Sequence, residues 1–141
     1  MTTTTEPLAV YLDIWDQIIN KGRLDLIDQY FSPDYTFQTP TVSLKGPAEA
    51  KRYYGALLGA FSEAEFVVED AFGDGGKIAK RWVFRGTHTG ELDGIPPTGK
   101  RVTLGGVTLA RMVDGKIVEE RDYADTLGLL QQLGVIPALG A

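Results

Sequence analysis

The fold is decided by the stretch from Arg81 to Gly134, which reads RWVFRGTHTGELDGIPPTGKRVTLGGVTLARMVDGKIVEERDYADTLGLLQQLG. Asp114-Gly115 lies between two apolar alternations, and Asp-Gly at such a place favours a hairpin because glycine adopts positive φ without steric cost. The loop from Gly94 to Gly99 contains two prolines, which cannot donate to a strand ladder. The stretch therefore predicts neighbouring antiparallel strands, with the proline loop as a long, exposed connection outside the sheet.

The rest of the chain predicts helices and shorter strands. Apolar residues at spacings of three and four predict helices, which we place at Pro7–Asn20, Leu24–Phe31 and Gly46–Phe61. Short β-branched and aromatic runs predict strands at Asp34–Gln38, Phe66–Phe72 and Ile78–His88. Asp125 or Thr126 would cap a final helix that ends at Gly134. This order predicts an α+β fold, a curved antiparallel sheet with three N-terminal helices packed across its concave face.

Composition limits the chemistry and the partners. The 141 residues fit one domain over 7–141 after a disordered tail at 1–6, and the first residues lack a secretory signal, so we expect a cytoplasmic protein. A net charge of −5, without a Lys/Arg stripe or an apolar run long enough for a membrane, disfavours nucleic acid and membrane partners. With no cysteine and one histidine, we expect chemistry without a metal or cofactor.

Small side chains on one strand indicate a pocket. From Arg101 to Met112 the alternation places Gly106 and Thr108 on one face, which the helices must cover. A gap there would be a ligand pocket. Alternatively, Gly105-Gly106 marks a bulge or bend in the sheet, and both interpretations can hold together.

Two carboxylates share a face on the next strand. Glu120 and Asp122 lie with Val118 and Ala124, opposite Ile117, and are about 7 Å apart by strand rise. If this face looks into the interior, away from water, the pKa of Glu120 or of Asp122 would rise into the range used in acid/base catalysis. The alternative is a solvated charge cluster on the outside of the sheet.

Aromatic residues and the single histidine complete the candidate site. His88 shares a face with Trp82 and lies at a strand end beside the proline loop, where a pocket would open. A lone histidine in a strand is, however, more often packed than catalytic. Tyr53 and Tyr54 are adjacent on a helix, so only one of them is expected to face the core, and the other would line a cavity or the surface.

The runs Arg85–Glu91, Gly94–Lys100, Asp114–Glu120 and Gln132–Gly134 resemble the SnoaL-like polyketide cyclases. The resemblance covers nearly the whole chain and implies the cone-shaped α+β barrel of the nuclear transport factor 2-like superfamily. It further implies intramolecular aldol closure of a polyketide methyl ester without a metal or cofactor. In that alignment the single catalytic general acid/base falls on Asp122.

The resemblance also marks positions around the expected base. A glutamine, a histidine and a further basic residue of the characterised cyclases fall on Gly106, Thr108 and Glu120 here. Tyr54 or His88 would have to supply a replacement hydrogen-bond donor. The candidate substrate-binding residues are Tyr54, Trp82, His88, Gly106, Thr108 and Glu120. Two alternatives remain: a module that binds a small apolar ligand without converting it, or a hydrolase, isomerase or dehydratase that uses Asp122 with Glu120.

The expected partners are a small, apolar or polyketide-like ligand and other copies of the chain. Val83, Val107 and Leu109 fall on the sheet face away from the helices. Monomers rarely expose such an apolar area, so we expect a homodimer or a higher homo-oligomer.

Overall fold

A computed structural model describes residues 7–137, so the expected tail at 1–6 lies outside the described residues. The helices are α1 (Pro7–Asn20), α2 (Asp25–Tyr30), α3 (Gly46–Ala60) and α4 (Thr126–Gln132). The strands are β1 (Phe31–Gln38), β2 (Ser43–Lys45), β3 (Phe61–Asp74), β4 (Lys77–His88), β5 (Arg101–Val113) and β6 (Lys116–Ala124). This order confirms the predicted α+β fold, including the closing helix.

The six strands form one curved, open sheet in the order β2-β1-β6-β5-β4-β3. Strands β3 to β6 are antiparallel neighbours, as the turn signals predict, and Asp114 and Gly115 both adopt positive φ in the last hairpin. The prediction of a wholly antiparallel sheet is wrong at one pair, because β1 runs parallel to β6. A parallel pair needs a long connection, and here that connection contains most of the chain.

Two predicted helices end earlier than expected. Phe31 and Phe61 have extended backbones and begin β1 and β3 instead of ending helices. Pro33 limits the first helix, since proline disfavours helical geometry at Ser32, the residue before it, and the helix cannot continue through that residue. Strand β2 was not predicted, because three residues are too few to show an alternation.

A bulge corrects the predicted faces of β6. Arg111 pairs with Glu119 and Met112 with Ile117, so Val118 has no partner of its own on β5. The extra residue reverses the alternation. Ile117 is therefore fully buried on the same side as Glu120, whereas the sequence pattern placed Val118 with Glu120 and Ile117 on the opposite face.

The helices cover the inward face of the sheet. Helix α1 packs against β3, and α3 packs against β1. Asp125 caps α4, its carboxylate accepting a hydrogen bond from the Gly128 amide, as predicted. Within residues 7–137, no helix is long and apolar enough to cross a membrane.

Glu120 joins three elements inside the fold. Its side chain is 1% exposed. One carboxylate oxygen accepts hydrogen bonds from the Tyr11 hydroxyl and, at 2.8 Å, from Trp15 Nε1. The other oxygen accepts from the Tyr35 hydroxyl at 2.8 Å. A charged residue on β6 thus fixes α1 and β1 against the centre of the sheet.

This arrangement predicts a large stability loss for Glu120→Leu. The change leaves the Tyr11, Trp15 and Tyr35 donors buried without an acceptor, and we expect a loss of roughly 3–5 kcal/mol in the free energy of unfolding. Urea unfolding with an unchanged m-value measures it. The control is Glu119→Leu, which removes only exposed ion pairs and should change stability by less than about 1 kcal/mol. Equal losses in the two variants would contradict the assignment.

Candidate active site

A cavity of about 580 Å³ lies between the inward face of the sheet and the helices. Residues from α1, α3, β4, β5, β6, α4 and the loop after β4 line it, and most of them are aromatic or aliphatic. The volume lies within the range of roughly 300–1,000 Å³ that is typical of pockets for drug-sized ligands. The cavity can therefore hold a largely apolar molecule of several fused rings.

Asp122 reaches this cavity from β6. The Thr108 hydroxyl donates to Asp122 Oδ1 at 2.6 Å, and Trp82 Nε1 donates to Thr108 Oγ1 at 2.8 Å. The indole therefore orients the hydroxyl, and the hydroxyl orients the carboxylate. Burial raises the pKa of Asp122, while the Thr108 hydrogen bond and nearby Lys80 oppose the rise.

The two inward carboxylates differ in what surrounds them. Burial raises the pKa of Glu120 to about 7, against the attraction of Lys80, and Asp122 adds to the rise. Both oxygens of Glu120 are already engaged by α1 and β1 donors. Among the described residues, Asp122 accepts a side-chain hydrogen bond from Thr108 only. The solvated cluster considered from the sequence consists instead of Glu119 with Arg111 and Arg121 on the outer face.

Lys80 is the cavity residue that sequence reasoning missed. It lies on the inward face of β4, is 4% exposed and lines the cavity. Burial lowers the pKa of Lys80 to about 8, against the attraction of Glu120 and Asp122. The strand register places Lys80 opposite Thr108 and Thr108 opposite Asp122, so the three form one row across β4, β5 and β6. Two signals were present in the sequence: Lys80 shares the alternation of Trp82, and the hairpins fix which residues pair.

The tyrosine pair agrees with the expectation that one ring is buried and the other lines a cavity, and Tyr54 lines the cavity as well. Tyr53 and Tyr54 both line the cavity, and their ring centroids are 5.1 Å apart. The cavity therefore extends past two adjacent side chains of α3, which point in different directions. Tyr54 also packs against the Trp15 ring at 4.8 Å. Burial raises the pKa of the Tyr54 hydroxyl well above its ordinary value. Tyr54 is thus a neutral group in the wall, as a hydrogen-bond donor would need to be.

Gly106 does not open the pocket, and it is not at a bulge. A Cβ at this position would lie 2.5 Å from the Trp82 ring, so the indole occupies the space that the glycine leaves. Both glycines pair with β4 without a register shift, and Gly106 pairs with Ala124 at the end of the β5–β6 ladder. The interpretations of Gly106 as a gap and of Gly105-Gly106 as a bulge are therefore corrected: the cavity exists, but Gly106 is not among its lining residues.

His88 also lies behind the cavity wall. It is fully buried, and its Nδ1 accepts a hydrogen bond from the Thr98 amide at 3.2 Å and contacts the Thr98 hydroxyl at 3.0 Å. Its ring packs beside Phe61. His88 thus holds the proline loop, and it is not among the residues that line the cavity. Both prolines of that loop are exposed, as predicted, while Ile95 within it and Leu92 before it line the cavity.

The structure therefore brings together Tyr54, Trp82, Thr108, Glu120 and Asp122 of the predicted site and adds Lys80 to them. Among residues 7–137, no three His, Asp or Glu side chains are placed to hold a metal ion. The arrangement can remove a proton from a bound molecule through Asp122 and can offset negative charge through Lys80.

Comparison with known proteins agrees with this geometry. The chain is 38% identical over 120 residues to nogalonic acid methyl ester cyclase of Streptomyces nogalater, covering 82% of this chain and 88% of the relative. It is 33% identical over 121 residues to aklanonic acid methyl ester cyclase DauD of Streptomyces sp. (strain C5), covering 82% and 74%.

A solved structure shows the same fold. AclR of Streptomyces galilaeus, a candidate hydroxylase, superposes with a TM-score of 0.82 at 30% identity, covering 93% of this chain and 82% of AclR. The model of the SnoaL-like polyketide cyclases matches residues 9–133, which include every residue of the site described above. This chain belongs to the SnoaL-like polyketide cyclase family.

Proposed function

We propose that this chain is a cytoplasmic, cofactor-independent polyketide cyclase that closes a ring by intramolecular aldol addition, with Asp122 as general acid/base. One observation carries the proposal: a Thr108-oriented carboxylate faces an apolar cavity of about 580 Å³. The names of the relatives support methyl esters of polycyclic polyketide acids as the substrate class. Such molecules are mostly apolar and carry acidic C–H groups between carbonyls, which fits this site.

The proposed reaction needs a single carboxylate. Asp122 takes a proton from the carbon between two carbonyls, and the C–H electron pair becomes an enolate. The enolate carbon attacks a ketone carbon of the same molecule, so a C–C bond forms and the ketone π bond becomes an alkoxide. Asp122 then returns its proton to the alkoxide. No atom is gained or lost, and the product is an isomer of the substrate.

The contacts favour Asp122 over Glu120 as the base. A base needs a lone pair that can reach the substrate. Glu120 faces the interior as the two-carboxylate alternative requires, yet three protein donors occupy its oxygens. Asp122 keeps one oxygen without a protein hydrogen bond among the described residues. The alternative of a binding module shares this cavity and differs only in forming no product.

We expect Asp122→Asn to abolish turnover while the fold is kept. Asparagine can still accept from Thr108 but cannot take a proton, so kcat should fall by at least about 100-fold with nearly unchanged Tm. The assay follows the isomeric product of aklanonic or nogalonic acid methyl ester by liquid chromatography and mass spectrometry.

The control for that assay is Asp70→Asn, an exposed carboxylate on β3, which should behave as wild type. Retained turnover in Asp122→Asn would exclude the proposed base. Recovery of both esters unchanged from wild type that binds them would favour the binding module instead.

The pH profile gives an independent prediction. The base must be ionised, so kcat/KM should fall as the pH drops through the pKa of Asp122, which burial raises above its ordinary value of 3.8. The Thr108 hydrogen bond lowers that pKa. Thr108→Val should therefore shift the acid limb of the kcat/KM profile to higher pH. Thr108→Ser retains the hydroxyl, so its acid limb should stay at the wild-type pH. A limb that stays in place in Thr108→Val, or moves to lower pH, would contradict the role of this contact.

We also propose that the outer face of the sheet joins two copies of the chain. Val67, Val107, Leu109 and Tyr123 are 39%, 38%, 48% and 51% exposed there, and Val107 pairs with Tyr123 across the strands. Ion pairs such as Arg81–Glu69 and Arg111–Glu119 surround these residues, so the surface carries charges of both signs. In a two-fold dimer the same surface of each subunit faces its counterpart. A surface with charges of both signs can pair with itself without net repulsion.

Light scattering tests the association. Wild type should have about twice the chain mass of 15.4 kDa. The double variant Val107→Lys/Leu109→Lys should shift to the single-chain mass, because it buries two charges in the contact. Val135→Lys, exposed after α4, is the control and should stay dimeric. A single-chain mass for wild type at working concentration would refute the dimer.

A further inference from the structure

The Lys80 ammonium is held by ring faces. Nζ lies 4.6 Å from the ring centroid of Tyr11 and 5.0 Å from those of Trp15 and Phe66. Cation–π attraction is strongest where water is excluded. Glu120 bonds to both Tyr11 and Trp15, so the residue that fixes α1 also fixes two walls of this cage.

The ammonium keeps hydrogen-bonding capacity for a ligand. Lysine has three N–H donors, and ring faces satisfy them only weakly. The contacts that the described residues make to Nζ are ring faces, while Glu120 and Asp122 act on it at longer range. Of the cavity-lining residues within 7–137, Lys80 alone is basic. The Lys80 ammonium is therefore the cation in the cavity wall that can stabilise a ligand oxygen when that oxygen gains negative charge.

The proposed reaction creates such an oxygen in the cavity that Lys80 and Asp122 both line. When Asp122 takes the proton, its charge moves to the enolate, so the net charge of the site stays constant while its position changes. Groups that are already aimed at the new charge lower the barrier without reorganising. Lys80 lies in the same cross-strand row as Asp122, with Thr108 between them. Gly106 has no side chain that could donate, and the Thr108 hydroxyl proton is committed to Asp122.

We propose that Lys80 is a catalytic residue that binds the enolate oxygen and offsets its charge. The inference rests on the proposed function, in that it supplies the electrophilic partner of the Asp122 base. Tyr11, Trp15 and Phe66 position the ammonium, and Glu120 is a positioning residue that acts through the first two of these. The pKa of Lys80, lowered to about 8 by burial, keeps the side chain mostly charged at neutral pH.

The first test uses an anion that mimics the enolate and needs no turnover. Alizarin, 1,2-dihydroxyanthraquinone, is a planar fused-ring phenol whose visible colour reports its ionisation. Bound to wild type or to Asp122→Asn, it should ionise at a pH at least about one unit lower than when bound to the same proteins carrying Lys80→Met, a tenfold change in acidity. Methionine matches the lysine stem and suits a buried site, and thermal unfolding checks that the variant folds.

The second test is kinetic. Lys80→Met should lower kcat/KM by about 10²–10³-fold. In wild type kcat/KM should fall above about pH 8 as Lys80 loses its proton, and this fall should be absent in Lys80→Met. Lys77→Met, exposed on the same strand, is the control and should match wild type.

Three results would overturn the inference: no binding of alizarin to wild type, equal ionisation of bound alizarin with and without Lys80, or unchanged kcat/KM in Lys80→Met. A mass adduct on Lys80 after reduction with cyanoborohydride would also overturn it, by showing an imine. The two proposals can fail separately. Loss of activity in Asp122→Asn with no alizarin effect sinks only the Lys80 assignment, whereas turnover by Asp122→Asn sinks the proposed function.

Discussion

Three charged side chains, Lys80, Glu120 and Asp122, lie on the inward face of a sheet that aromatic helices cover. Burying a charge in apolar surroundings is costly unless it is paired or hydrogen-bonded. Buried side chains supply the hydrogen bonds that these charges need. Glu120 accepts from Tyr11, Trp15 and Tyr35, and Asp122 accepts from Thr108. The placement of α1 across the sheet depends on these contacts as well as on apolar packing.

The same constraint separates the roles of the two carboxylates. Both oxygens of Glu120 accept hydrogen bonds from donors that belong to the scaffold, so Glu120 stabilises the fold and shapes the cage around Lys80. Asp122 is held by one contact and faces the cavity, so its remaining oxygen is available to a ligand. In our proposals an acidic and a basic group act on the same molecule, and the sheet register fixes their relative positions.

Much of this organisation was readable in the sequence, because alternation and turn residues are local signals. Asp114-Gly115 and Asp125 marked a hairpin and a helix cap correctly, and the parity of β6 placed Glu120 and Asp122 on one face, which the structure turns inward. The failures were non-local. The bulge at Val118 depends on pairing with β5, and the indole over Gly106 comes from another strand.

Lys80 was missed for a related reason. A lysine in a strand usually faces water, and nothing near Lys80 in the sequence indicates the ring cage that α1 and β3 build around it. His88 shows the reverse error. Its residue type suggested a site, but its neighbour Thr98 holds it in the scaffold.

The central claim is that the Asp122 carboxyl lies in a dry site whose charge Lys80 controls. A ¹³C NMR titration of this carboxyl in wild type and in Lys80→Met tests it most directly. The structure predicts a midpoint above the ordinary 3.8 in wild type and a further rise when the ammonium is removed, because Lys80 lowers this pKa. A midpoint at the ordinary value that is insensitive to Lys80 would mean that water, and not the cavity, surrounds Asp122.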